Sequence, residues 1–126
     1  MTQPATSLYQ RMGGYDVIAA VIDDLFAILH EDPGFARFFG GRSEDSVIRS
    51  RQLLVDQMSA LSGGPCHYIG RDMTTSHRGL GITNAEWEAN MKASDAALIK
   101  NSVGGAERAE FLALFERYRH DIVEAD

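Results

Sequence analysis

The chain has 126 residues, 44% of them hydrophobic and 24% charged, and a formal net charge of −6. This length fits one domain, residues 1–126, and the composition is that of a globular protein. The negative charge argues against a nucleic-acid binder and against docking on anionic lipid, because both need clustered Lys and Arg. The single cysteine, Cys66, cannot form an internal disulfide. No apolar run is long enough to span a membrane or to mark a signal peptide, so we expect a cytoplasmic protein.

The N-terminal third predicts two helices. A short amphipathic turn from Leu8 to Met12 precedes a glycine pair, and glycine ends helices cheaply. Apolar residues then recur with helical period from Val17 to Leu29. Asp16 is placed to cap the start of this helix, and Asp32-Pro33 marks its end.

The rest of the chain predicts three further helices and no strand. One runs from about Ser43 to Leu61, and the next opens with the capping-box pattern Thr83-Asn84-Ala85-Glu86. The last follows Gly105 and carries an apolar stripe through to Ile122. Because no stretch alternates with period two, we expect an all-α fold.

The chain has four histidines, which are His30, His67, His77 and His120. Two of them, His67 and His77, lie in the weakly patterned segment between Leu61 and Thr83. His77 lies among small and polar residues and close to two glycines, so a bulky flat ligand could approach it. On chemistry alone, a capping or buried hydrogen-bonded role is the more ordinary interpretation of one histidine. With one cysteine, the segment does not fit a structural zinc site.

Several short motifs in fixed order resemble group I of the truncated haemoglobins, from Leu8 to about Val123. The strongest is His77-Arg78-Gly79-Leu80-Gly81-Ile82-Thr83, which resembles the segment that carries the proximal histidine in that family. The other matches are Leu8-Tyr9-Gln10-Arg11-Met12-Gly13-Gly14, Phe38-Phe39, Gly63-Gly64-Pro65 with Tyr68, Gly70 and Met73, and Asp121-Ile122-Val123.

This resemblance implies a two-over-two helical sandwich around haem b. His77 would supply the fifth iron ligand through its neutral imidazole, while its other ring nitrogen donates to a carbonyl or hydroxyl. The sixth position would bind O2, NO or CO. The residues that would pack on the porphyrin are Phe39, Met73, Ile82, Trp87, Met91 and Phe115, with Tyr68 and Arg71 as candidates near the propionates.

The sequence departs from the family on the distal side. Many group I members carry a tyrosine that hydrogen-bonds the bound oxygen, and this chain has Phe26 at that position. The segment from Phe39 to Gly63 is also a few residues longer than in typical members, which leaves the register of the distal helix open.

Two registers follow from the extra length. Counting back from Gly63 turns Ser50, Leu54 and Met58 towards the iron, whereas counting forward from Phe39 brings Arg51 or Gln52 there. The apolar stripe of this helix favours the first count, since haem needs an apolar wall. A hydrogen-bond donor to replace the tyrosine could come from Ser50, Gln52 or Gln57.

The resemblance leaves more than one function open. The first is a haem protein that binds O2, NO or CO reversibly for transport, buffering or sensing, as a monomer or weak dimer. The second is a haem enzyme, either an NO dioxygenase served by an electron-donating reductase or a peroxidase-like enzyme. The third is a haem-free helical interaction module. Fold alone does not decide among them.

Overall fold

The fold is all-helical in the part of the chain that the structure describes. The structure is a computed structural model, and it describes residues 7–39, 43–65, 77 and 79–125, without the side chain of Phe39. These residues form α1 (Leu8–Met12), α2 (Tyr15–Glu31), a 3-10 turn (Pro33–Phe35), α3 (Ala36–Phe39), α4 (Glu44–Leu61), α5 (Asn84–Lys100), α6 (Gly105–Glu116) and α7 (Arg119–Ile122). Across these residues no strand forms, apart from an isolated parallel bridge between Thr83 and Ala125.

Two helix pairs make up the core, α2 with α4 and α5 with α6, and extensive contact between α2 and α5 joins them. Their buried faces carry fully enclosed aliphatic and aromatic residues, among them Ile22, Val55, Leu98 and Phe111. Burial of one such side chain stabilises the fold by roughly 1.5–3 kcal/mol. The predicted all-α architecture and its two-over-two arrangement are confirmed.

Local sequence signals explain most helix boundaries. The Thr83 hydroxyl accepts from the Glu86 amide, and the Glu86 carboxylate accepts from the Thr83 amide, so the predicted capping box is confirmed at the start of α5. Ser43 caps α4 through the Ser46 amide. Asp32 follows α2 and caps the 3-10 turn, because its carboxylate accepts from the Gly34 amide.

Two predicted details are wrong. Asp16 does not cap α2, because the helix begins one residue earlier, at Tyr15; Gly14 takes the capping position without a side-chain bond, and Asp16 lies in the first turn. The last predicted helix is two helices, since α6 ends at Glu116 and α7 starts at Arg119. Among the helices in the described part of the chain, none combines the length and the hydrophobicity that a membrane span requires.

Candidate functional site

An apolar cavity of about 500 Å³ lies between α2, α3, α4, α5 and the C-terminal helices. This volume is within the roughly 300–1,000 Å³ range of small-molecule and cofactor pockets. Its walls are dominated by aliphatic and aromatic side chains. The lining residues are Leu25, Phe26, Leu29, Phe35, Phe38, Ser50, Leu53, Leu54, Gln57, Met58, His77, Leu80, Ile82, Glu86, Trp87, Asn90, Phe115, Tyr118 and Ile122.

Helix α4 forms one wall and turns a largely apolar face to the cavity. Ser50, Leu54 and Met58 line it together, as does the buried Gln57, at 7% exposure. This is the face obtained by counting back from Gly63. Gln57 lies three residues after Leu54, so it shares that face of the helix.

The alternative register places its two residues elsewhere. The Arg51 guanidinium donates to both carboxylate oxygens of Asp23, at 2.8 and 3.0 Å. The Gln52 amide donates to the Tyr15 hydroxyl and, at 3.0 Å, to the Asp56 carboxylate. Neither side chain lines the cavity.

His77 lies in the cavity wall together with Leu80 and Ile82, which follow it in the chain. Its side chain is half-buried. Leu80 is 41% exposed although it lines the cavity. Phe26, on α2, lines the same cavity as His77 and the α4 face.

Helix α5 contributes Glu86, Trp87 and Asn90 to the cavity. Trp87 is 3% exposed, and its indole N–H donates to the Glu116 carboxylate at 3.1 Å. Asn90 lies three positions after Trp87, so the helical period brings it to the same cavity. Met91 instead lines a separate shallow pocket with Glu88, Ala89 and Lys92. The structure therefore does not bring Met91 to the cavity.

The Glu86 carboxylate at the pocket edge is held ionised. It accepts from the Thr83 amide at 2.9 Å and from the Arg37 guanidinium at 2.6 Å. The backbone hydrogen bond from Thr83 is the largest cause that lowers the pKa of Glu86, and Arg37 adds to it against the opposing effect of burial.

The remaining predicted site residues fall partly inside and partly outside the described chain. Ile82 and Phe115 line the cavity with the residues above. Tyr68, Arg71, Met73 and the side chain of Phe39 lie outside the described residues. The sequence did not point to the other lining residues, which are Leu25, Leu29, Phe35, Phe38, Leu53, Leu80, Glu86, Asn90, Tyr118 and Ile122. Leu53 and Asn90 are each adjacent in sequence to a predicted residue.

The apolar walls and the His77 imidazole fit a flat apolar cofactor whose metal takes a nitrogen ligand. Apolar walls suit a porphyrin face, and an imidazole in the wall can ligate iron. Within the described chain, no cluster of three His, Cys, Asp or Glu residues could hold a metal ion by itself. The site is thus a largely apolar pocket in an all-helical protein, with one imidazole in its wall.

Comparison with known proteins gives the family. The bacterial-like globin family model matches residues 7–124. A group 1 truncated haemoglobin of Tetrahymena pyriformis is 27% identical over 123 residues, which are 98% of each chain. Another, from Nostoc commune, is 30% identical over 87 residues, which are 69% of this chain and 71% of that protein.

Solved structures agree with this similarity. The crystal structure of the Tetrahymena pyriformis truncated haemoglobin in its Fe(III) form superposes with a TM-score of 0.85 at 25% identity, covering 94% of this chain and 98% of that one. The chain therefore belongs to the truncated haemoglobins of the bacterial-like globin family. Membership of this family implies haem-based gas binding.

Proposed function

We propose that this chain binds haem b in the cavity, with His77 as the axial ligand, and binds O2, NO and CO reversibly. The observation that carries the proposal is the position of His77 in the wall of an otherwise largely apolar cavity. The family supports the same conclusion, since it implies a haem and diatomic ligands. A pocket of this kind suits gas transport, buffering or sensing.

Haem, when bound, supplies an iron whose open coordination position takes a diatomic ligand. His77 would hold the iron through one ring nitrogen. Trp87 and Phe115 would pack on the macrocycle, and Phe26 and Leu54 would keep water away from the gas.

The polar residues of the α4 wall would set the preference among gases. Gln57 is buried and carries an amide that can donate two hydrogen bonds, and Ser50 carries a hydroxyl. O2 bound to a ferrous haem would carry partial negative charge and would gain from a donor, whereas the less polar CO would gain little. We infer that Gln57 takes the role that a tyrosine at the position of Phe26 has in many group I members.

Titration of the purified chain with haemin tests this proposal. The expected result is saturation at one haem per chain, with a ferrous form that gives a reversible CO spectrum. A chain that leaves haemin in its free, aggregated spectrum would support the haem-free interaction module instead.

A further inference from the structure

The described segment after His77, from Gly79 to Ile82, is irregular, yet most of its backbone groups are hydrogen-bonded. The amides of Gly79 and Gly81 donate to the two carboxylate oxygens of Glu124, at 3.1 and 2.9 Å. The amide between them, on Leu80, donates to the carbonyl of His77 at 3.3 Å. The Glu124 carboxylate thus accepts from the amides on both sides of Leu80.

The carbonyl groups of the same segment accept hydrogen bonds from Arg37, on α3, and from the C-terminal backbone. The Arg37 guanidinium donates to the carbonyl of Leu80 at 3.1 Å and to that of Gly81 at 3.4 Å. The next carbonyl, on Ile82, accepts from the amides of Glu124 and Ala125, at 2.8 and 3.2 Å. We call Glu124 and Arg37, with these bonds, the clamp.

The backbone conformation explains why glycine stands at both clamped amides. Gly79 and Gly81 have φ values of +82° and +64°, in the left-handed region that favours glycine. This region turns both N–H groups to one carboxylate. Arg37 is itself fixed, because it pairs with Glu86 and stacks on the Phe38 ring at 4.1 Å.

We propose that Glu124 and Arg37 are positioning residues for His77. The clamp holds the backbone from Gly79 to Ile82, which begins two residues after the histidine, and so it would set the direction in which the imidazole is presented to the iron. This inference rests on the proposed function, since it takes His77 as the ligand. It assigns a role in haem ligation to two residues that do not line the cavity.

The Fe–His stretching frequency in resonance Raman spectra of the ferrous protein tests the clamp. In Glu124→Ala we expect a shifted and broadened band, because the imidazole samples more orientations. Hydrogen bonds to a charged group are the strong ones, so we also expect loss of haem to an acceptor protein to speed up about tenfold. Amide exchange at Gly79 and Gly81 should accelerate in the same variant.

Graded and control variants separate positioning from general stability. Glu124→Gln keeps one acceptor oxygen for the two amides, so it should lie between wild type and Glu124→Ala in all three measurements. Arg37→Met should shift the band in the same way as Glu124→Ala. Glu110→Ala removes a carboxylate that pairs with Arg11 on the α1–α6 contact, and it should leave the band in place.

The outcomes distinguish the clamp from the proposed function. An unchanged Fe–His band in both Glu124 variants, with haem loss within twofold of wild type, would overturn the clamp and leave His77 as the ligand. A wild-type band that persists in His77→Gly would overturn the proposed function itself.

Discussion

At the scale of single residues, we propose that the buried Gln57 amide sets the O2 dissociation rate. Gln57→Leu removes the buried amide from the wall and keeps the apolar volume. We expect O2 to dissociate roughly ten- to a hundredfold faster, since such a hydrogen bond is worth about 1–3 kcal/mol and 1.4 kcal/mol is a factor of ten. Stopped-flow displacement of O2 measures this rate, and CO release should change much less.

The same helix offers a matched control. Gln52 is a glutamine five residues earlier whose amide bonds to Tyr15 and Asp56 outside the cavity. Gln52→Leu should therefore leave the O2 dissociation rate within about twofold of wild type, on the ground that it removes no pocket group. Equal rates in wild type and Gln57→Leu would show that Gln57 is not the donor, and Ser50→Ala would then be the next variant to measure.

Phe26 supports a second prediction at this scale. Phe26→Tyr places a hydroxyl in the cavity wall where many group I members have one, so O2 release should slow while CO release changes less. The expected slowing is about tenfold, for one added hydrogen bond. An unchanged O2 rate in Phe26→Tyr, beside a tenfold rise in Gln57→Leu, would mean that Phe26 does not face the gas.

At the scale of elements, the capping box of α5 should make the stability of the fold depend on pH. The pKa of Glu86 is lowered in the folded state, so its charge stabilises the fold above the ordinary value of 4.5. That contribution is lost as the pH falls through the lowered pKa. Glu86→Gln keeps an acceptor for Thr83 but removes the charge that faces Arg37.

Chemical denaturation at several pH values checks this effect. Near neutral pH, Glu86→Gln should lower the free energy of unfolding by about 1 kcal/mol, the difference between a charged and a neutral hydrogen bond. The difference in the free energy of unfolding between wild type and Glu86→Gln should disappear as the pH drops below the folded-state pKa of Glu86. A difference that stays constant from neutral to acid pH would contradict the role given to the Glu86 charge.

The elements also show which features the sequence could predict. Periodicity and caps predict α2, α4 and the start of α5, because each is set by residues within a few positions of one another. The break between α6 and α7 is not visible in that way, since the apolar stripe runs on through Tyr118 to Ile122. The choice of Asn90 over Met91 as the pocket residue depends on the exact rotation of α5, and the sequence alone leaves that rotation open.

At the scale of the whole molecule, the site is assembled from distant parts of the chain. The His77 motif and the α4 stripe predict the two walls, because each is a local pattern. The clamp was not predictable, because Arg37 and Leu80 are 43 residues apart and Gly81 and Glu124 are also 43 apart. Such pairs become evident only when the helices that carry them have packed.

We propose that His77 ligates the haem iron, and the haem spectrum of His77→Gly is the decisive measurement. This variant should bind haem weakly and lose the wild-type ferrous and CO spectra, and added imidazole should restore them by filling the space of the lost side chain. His120→Ala removes an exposed histidine on α7 and should match wild type. A His77→Gly protein that retains haem with unchanged spectra, in the absence of imidazole, would show that His77 does not ligate the iron.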